Sequence, residues 1–368
     1  MSVTPSDPVA THACGTSLTC ARYLSKMPLL REPLNDTEIQ NSVTCAAQRA
    51  LLDLDGAALA KLNAPEEIHW GPLSERGIRF YIKREDLLDQ HISGNKLYKL
   101  LGHLQLAQQR LAQTLISFGG YYSNHLHALA AVGQRLGLAT VGVVRGEEPK
   151  QLNPTLLDCK QRGMQLLFIS RAQYRDKECP GYLRTLNEAF PAAYIIPEGG
   201  SGTAGLLGCQ ALGAEIAQHF IGQSLTVCVP CGTGTTLAGL LAGSARDGLR
   251  VDHEYQGFAV VKPRSSDERL EAEIDRWLVQ SGAVATARWR VSYDFHAGGY
   301  AKLPAGLLDS MLSFESQTGI ALDPVYTAKM LWGIESLAAQ GRWRAGGNVL
   351  ALHTGGLQGR RGFSALSG

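Results

Sequence analysis

The sequence predicts an α/β fold built on parallel sheet, and three observations predict it. From Ile78 onward, short apolar runs alternate with stretches of three-to-four apolar spacing, the pattern of βαβ units. The chain of 368 residues is 45% hydrophobic and 18% charged, which suits one or two compact domains. Its 41 glycines suit many tight turns and close backbone approaches.

Residues 1–62 read as an N-terminal extension with one helix. Met1 to Met27 lack the apolar centre of a signal peptide and hold a single acid, Asp7. That leaves a disordered tail, an early start upstream of Met27, or a weak transit segment. A capping box at Thr37-x-x-Gln40, followed by Ile39, Val43, Ala47, Ala50 and Leu51, predicts a helix from Thr37. Strands follow at Ile78 to Lys83, Thr114 to Phe118, Ala139 to Val144, Gln165 to Ile169, Ala193 to Ile196, Leu225 to Val229, Tyr255 to Val260 and Asn348 to Leu352. A helix from Ser123 to Leu136 joins the second and third. Another continues past Thr236 through Leu237 and Leu241. No internal repeat or low-complexity linker interrupts them.

A net charge of +2 and a pI near 8.1 give no basic stripe for neutralising phosphates, so nucleic acid is not an expected partner. No apolar run approaches the ~20 residues of a membrane span; Pro230 and a glycine-threonine cluster break the longest candidate, so a soluble chain is expected. Eight cysteines are too sparse for a disulfide scaffold and point to a reducing compartment, the cytoplasm.

Four motifs carry chemistry. Cys231-Gly232-Thr233-Gly234-Thr235-Thr236 opens a helix with backbone N–H groups and three hydroxyls, an arrangement that favours a bound anion. It lacks the Lys of a GxxxxGK[ST] loop and the third glycine of GxGxxG, so a single monophosphate fits better than ATP or a dinucleotide. The bland alternative is a strand-to-helix turn that merely needs glycines. Cys228-Val-Pro-Cys231 is a CxxC, which invites a redox or zinc reading, but no second CxxC accompanies it, and a buried strand end is the plainer account. His125 and His127 stand two apart on a helix and face different ways, so no metal is expected. Lys96 lies in Ser93-Gly94-Asn95-Lys96 at a helix start, where a cation opposes the helix dipole. A neutral amine, or a lysine bound covalently to a carbonyl, suits that place better than an ordinary surface lysine.

Taken in order, Lys83-Arg-Glu-Asp86, Ser93-Gly-Asn-Lys96, Ser123-Asn124-His125, Pro197-Glu-Gly-Gly200, Gly232-Thr-Gly-Thr-Thr236, Asp323-Pro-Val-Tyr-Thr327 and His353-Thr-Gly-Gly356 resemble the D-cysteine desulfhydrase and 1-aminocyclopropane-1-carboxylate deaminase family. The resemblance runs from about Glu67 to Gly356. It implies the tryptophan-synthase-β-like fold (fold type II): two open, twisted, mostly parallel sheets flanked by helices, with pyridoxal 5'-phosphate in the cleft between two domains. Residues 63–97 and 198–368 would form the large cofactor-binding domain and residues 98–197 the small one. Lys96 would form the Schiff base and shuttle the α-proton. Asn124 would bond the cofactor's ring oxygen, Gly232, Thr233, Gly234, Thr235 and Thr236 would hold the phosphate, and Tyr326 would stack on the ring. Ser123 would lie near the substrate carboxylate or the lysine amine, with Asn124, His125 and Tyr122 beside the substrate and Tyr300, in His296-Ala-Gly-Gly-Tyr300, as a second active-site tyrosine.

Several positions depart from the family pattern. Thr327 stands where the deaminases have Glu, and Thr354 is also expected near the pyridine nitrogen. A hydroxyl cannot hold that nitrogen protonated as a carboxylate can, which disfavours cyclopropane opening and favours β-elimination. His125 replaces the Gln usual in the deaminases. Tyr98 replaces an Arg two residues after the lysine, Tyr300-Ala-Lys-Leu-Pro304 replaces Tyr-Gly-Val-Pro-Asn, and Tyr121-Tyr122 replaces a Gln, so the substrate pocket is expected to differ. The resemblance implies a homodimeric enzyme that converts a small amino acid, D-cysteine or another β-substituted alanine such as 3-chloro-D-alanine, to a 2-oxo acid and ammonia. The alternatives are 1-aminocyclopropane-1-carboxylate deamination, a non-catalytic pyridoxal-phosphate carrier, and a redox or metal protein using Cys228 and Cys231.

Overall fold

The computed structural model describes residues 64–92, 94–245, 252–263 and 269–366. The extension of residues 1–62, its predicted helix from Thr37 and Ser93 lie outside them. Ten strands are described: β1 (Glu66–Ile68), β2 (Arg79–Arg84), β3 (Thr114–Gly119), β4 (Ala139–Arg145), β5 (Gln165–Ile169), β6 (Ala193–Ile195), β7 (Leu225–Cys231), β8 (His253–Ala259), β9 (Arg288–Ser292) and β10 (Asn348–His353). They form a six-stranded sheet in the order β1-β2-β10-β7-β8-β9 and a four-stranded sheet in the order β5-β4-β3-β6. Every pair is parallel except β1 with β2.

Central parallel strands are buried on both faces, so they are written as continuous apolar runs. All six residues of β10 are buried, and its alternate side chains enter different cores. Val349 and Ala351 join Phe80, Ile82 and Phe258, while Leu350 and Leu352 join Val227, Val229 and Tyr255. The edge strands β1 (Glu-Glu-Ile) and β9 (Arg-Trp-Arg-Val-Ser) carry charge in place of an apolar run, which is why sequence periodicity passes over them. Strand β7 runs two residues beyond its predicted end, through Pro230. Its pairing with β10 ends at Cys228, so Pro230 lies past that ladder and interrupts nothing there.

Six helices matter to the site: α1 (Asn95–Gln109), α2 (Asn124–Leu136), α3 (Thr203–His219), α4 (Thr235–Ser244), α5 (Leu270–Gln280) and α6 (Thr327–Ala339). Glycines let α1, α3 and α4 approach backbone to backbone. A Cβ on Gly102 would lie 1.9 Å from the Ala204 carbonyl oxygen, and one on Gly208 1.9 Å from that of Tyr98. Between α3 and α4, a Cβ on Gly243 would meet the Gln210 oxygen at 2.1 Å. Much of the glycine richness therefore serves helix contact as well as turns. The arrangement brings the turns after β3 and β7 together with the N-terminus of α1, at strand carboxyl ends where open α/β sheets receive ligands.

Candidate functional site

Lys96 projects from the first turn of α1. Gly94 precedes that helix at φ 70°, and a Cβ there would sit 1.8 Å from the Thr354 carbonyl oxygen, so the start of α1 is pressed against the His353-Thr-Gly-Gly turn. The Lys96 amine donates to Asn95 Oδ1 at 2.6 Å and lies 5.4 Å from the Tyr326 ring centroid. Burial, seconded by the Lys99 ammonium, pulls its pKa down to about 7. An amine that gives up its proton this readily at a helix start agrees with the argument from the dipole.

One turn on, Lys99 is also buried, and its Nζ donates to the Gly199 carbonyl at 3.2 Å and reaches Thr233 Oγ1 at 3.4 Å. Asn95 Nδ2 donates to Thr236 Oγ1 at 2.8 Å. Helix α1 is thus bonded to the glycine-threonine loop. Gly234, at φ 79°, precedes α4, and Thr233 and Thr235 exchange a hydrogen bond of 3.0 Å. The loop walls a pocket of about 40 Å³ shared with Lys96, Lys99, Gly199 and Tyr326. Backbone amides at the start of the ten-residue α4 and the Lys99 cation make it a site for an anion.

Tyr326 is placed by Asp323, whose carboxylate accepts from the backbone N–H groups of Val325 (3.0 Å), Tyr326 (2.8 Å) and Thr327 (2.8 Å) at the start of α6. A Cβ on Gly232 would touch the Tyr326 ring at 3.2 Å, so the bare glycine is what lets ring and loop meet.

The opposite wall is the turn after β3. Ser123 caps α2 by accepting from Leu126 N at 3.2 Å, and Asn124 Oδ1 accepts from Gln358 Nε2 at 2.8 Å. Ser117 Oγ donates to the Ile196 carbonyl at 2.9 Å, so His125 Nε2, 2.9 Å away, is the donor to Ser117 and Nδ1 carries the lone pair. Burial holds His125 far below the usual imidazole range and therefore neutral, and its Nδ1 has no partner. Tyr300 Oη donates to the Tyr122 carbonyl at 3.3 Å. The Tyr300 ring meets that of Tyr326 edge-on at 6.4 Å, and burial raises the Tyr300 phenol to about 12. Its loop carries non-glycine residues at positive φ, Ala297 (56°) and Ala301 (54°), and buried Lys329 holds it by donating to the Gly299 carbonyl at 2.6 Å. Together these residues enclose a cleft of about 240 Å³ lined by Lys96, Ser123, Asn124, His125, Tyr300 and Tyr326, with Arg145, Glu198 and Thr233.

The structure thus gathers Lys96, Ser123, Asn124, His125, Gly232, Thr233, Gly234, Thr236, Tyr300 and Tyr326 around one cleft and its pocket. Thr235 lies just behind, bonded to Thr233. Tyr122 and Tyr121 border an outer cavity of about 610 Å³ instead. Thr327 and Thr354 are buried and border neither space, and Thr327 Oγ1 has no hydrogen-bond partner. Tyr98, expected to alter the substrate pocket, is a core residue bonded to the buried Glu85 carboxyl, so that expectation is corrected. The redox reading of the CxxC is corrected too. Residues three apart on a strand face opposite ways, and Cys228 and Cys231 enter different cores with thiols that burial pushes up. His127 turns from His125 to Asp158 at 3.1 Å, and no metal-ligating cluster occurs among the described residues. Sequence reasoning quoted Asn95 and Glu198 within motifs without giving them a role, and missed Lys99, Gln358 and Arg145. Lys99 had a signal, since it lies three residues beyond Lys96 on the same helix face.

A family model described as pyridoxal-phosphate dependent enzyme matches residues 68–355. The chain is 32% identical over 294 residues to a putative 1-aminocyclopropane-1-carboxylate deaminase of Pyrococcus furiosus, covering 77% of this chain and 86% of the relative. It is 32% identical over 313 residues to D-cysteine desulfhydrase of Salmonella choleraesuis, covering 81% and 93%. Among solved structures, an ACC deaminase homologue superposes with a TM-score of 0.68 at 30% identity over 82% of this chain and 94% of that one. A threonine deaminase isoform from Solanum lycopersicum shares the fold, with a TM-score of 0.58 at 17% identity over 91% and 95%.

Proposed function

From membership in the pyridoxal-phosphate dependent enzyme family, to which the chain belongs, we propose that this protein eliminates the β-substituent of a small amino acid, releasing a 2-oxo acid and ammonia. The observation that carries the reading is one buried amine, Lys96, with its pKa pulled to about 7, at the edge of an anion pocket and 5.4 Å from an aromatic ring. These residues suit pyridoxal phosphate: an amine for its aldehyde, a helix N-terminus with Lys99 for its phosphate, and Tyr326 for its ring. Thr327 follows Tyr326 in sequence with a buried, unpartnered hydroxyl; although it does not line the cleft, the residue at this place in the motif is a neutral polar group and not a carboxylate.

When bound, the cofactor supplies an electron sink for negative charge at the substrate α-carbon. The chain's own residues do the rest. Lys96 would hold the cofactor through Nζ at its aldehyde carbon and would take the substrate's α-proton, a role suited to an amine whose pKa of about 7 leaves about half of it neutral at pH 7. Lys99 would offset the phosphate's charge, and the amides of Gly232 to Thr235 would donate hydrogen bonds to it. The N–H groups at the start of α2, behind Ser123 and Asn124, receive the substrate carboxylate. Tyr300, its phenol raised to about 12, keeps its proton, which it would turn from the Tyr122 carbonyl to the leaving group.

The relatives carry both deaminase and desulfhydrase names, and Thr327 favours elimination. A neutral hydroxyl stabilises a carbanion less through the ring than a carboxylate partner does, and each ~1.4 kcal/mol lost costs about tenfold in rate. On this reading residues 63–97 and 198–368 form the large domain and residues 98–197 the small one, supported by the split of the strands between two sheets. A homodimer in a reducing cytoplasm is part of the same reading, supported by the resemblance and by the free buried thiols of Cys159, Cys209, Cys228 and Cys231. The test is an ammonia and 2-oxo-acid assay of the holoenzyme on both hands of cysteine and 3-chloroalanine, beside 1-aminocyclopropane-1-carboxylate. Faster turnover of the cyclopropane substrate than of every β-substituted alanine overturns the elimination reading, and no turnover of any compound favours a carrier.

A further inference from the structure

The three spaces of the site are joined in a fixed order. The anion pocket shares Lys96, Gly199, Thr233 and Tyr326 with the cleft, and the cleft shares Gly120, Arg145 and Tyr300 with the outer cavity. Arg145 therefore stands at the mouth of the cleft, away from the phosphate end. It is the last residue of β4, and its Nη2 comes within 3.9 Å of where a Cβ on Gly120 would be, against the turn that carries Ser123 and Asn124.

Arg145 is exposed to solvent at this mouth, and among the described residues no carboxylate forms an ion pair with it. Arg84, Arg135, Arg360 and Arg361 each face a carboxylate, whereas Arg145, like Arg171 beside the same cavity, does not; its guanidinium carbon lies 5.8 Å from the Tyr174 ring centroid. The acid in the cleft lining, Glu198, pairs with Lys177 at 3.3 Å. Arg171 adds a second cation to the outer cavity, against the single acid Glu147. A small neutral amino acid has no use for this arginine, because the amides at the start of α2 can take its one carboxylate.

We propose that the substrate carries a second anionic group on its side chain and that Arg145 binds it. The inference rests on the reading of the cleft as a pyridoxal-phosphate site and names the substrate class of that site: alanines whose β-substituent is a phosphate, sulfonate or similar oxyanion. Elimination from such a substrate balances with one water. The α-proton leaves to Lys96, the Cβ–X bond breaks with its electron pair on X, and hydrolysis gives the 2-oxo acid, ammonium and the protonated oxyanion. A guanidinium is apt for this group because its planar fork bonds two oxygens at once.

The test uses the holoenzyme and three probes. 2-Amino-3-phosphonopropionate cannot eliminate, so calorimetry reads its binding alone; alanine is the uncharged reference; O-phosphoserine and 3-chloroalanine, in both hands, read turnover. The wild type binds the phosphonate at least about tenfold more tightly than alanine, the scale of one charge-assisted hydrogen bond. Arg145→Gln removes that discrimination and lowers the ratio of kcat/KM for O-phosphoserine over 3-chloroalanine by a similar factor, while Arg145→Lys keeps part of both. Equal binding of phosphonate and alanine by the wild type, or discrimination that survives in Arg145→Gln, overturns the proposal. Turnover of 3-chloroalanine by the wild type upholds the parent reading whatever Arg145 does, so the two failures are distinguishable.

Discussion

Lys99→Met tests the anion pocket at its least obvious member. Lys99 is buried without a carboxylate in its hydrogen bonds, held by the Gly199 carbonyl at 3.2 Å and Thr233 Oγ1 at 3.4 Å. A hydrogen bond to a charged group contributes about 1.5–3 kcal/mol, so losing it should weaken cofactor retention by about tenfold to 150-fold. The same change has a second readout. Lys99 is the largest cause after burial of the depressed Lys96 pKa, so its removal lets that pKa climb above about 7. Only the neutral Lys96 amine can attack an aldehyde, and the pH midpoint of cofactor uptake should climb with it. Loss of fold cannot imitate these effects, because deleting a buried cation lacking a carboxylate partner should leave the apoprotein as stable or more so. The assay is titration of apoprotein with pyridoxal phosphate by absorbance across a pH series. Unchanged affinity together with an unchanged midpoint refutes the reasoning that Lys99 faces the phosphate.

Gly234→Val forces a β-branched residue to φ 79° with its Cβ 2.9 Å from Ile274, and should cost about 1–3 kcal/mol in urea unfolding as well as cofactor retention. Gly232→Ala, whose Cβ meets only the Tyr326 ring at 3.2 Å, should lower retention with a nearly unchanged urea midpoint; equal behaviour of the two variants contradicts the geometry. Asp323→Ala unfastens three backbone N–H groups at the start of α6 and should destabilise the protein by about 1–3 kcal/mol while loosening Tyr326, whereas an unmoved midpoint removes Asp323 from that role. The native pKa of Lys96, about 7, lies below its ordinary value, so between the two the unfolded chain holds a proton the native apoprotein lacks. Apoprotein stability should therefore rise as pH climbs from about 7 toward the lysine range, with Lys99, lowered by burial, adding in the same direction, and Lys96→Met should flatten the slope.

Much of the site was legible because its residues sit in turns that the backbone demands. Gly94, Gly232 and Gly234 are written by close approach or positive φ, and the polar residues beside them are fixed by helix starts. The central strands were equally legible, since burial on both faces makes them mostly apolar, with a few hydrogen-bonded polar side chains such as Ser117. Strands β1 and β9 were not, because an edge needs only one covered face and tolerates arginine and glutamate. Pairings distant in sequence were also beyond reach. Nothing local says that Gln358 bonds Asn124, that Tyr98 turns inward to Glu85, or that Arg145 ends β4 beside Gly120. The CxxC misleads for a local reason, since its spacing implies a chelate only where the chain turns, and here it is extended.

Borohydride reduction of the holoenzyme followed by peptide mapping tests the central claim most directly. The account predicts one pyridoxyl group, on Lys96, and none in Lys96→Ala. A pyridoxyl group on Lys99, Lys329 or any other lysine, with Lys96 unmodified, contradicts it.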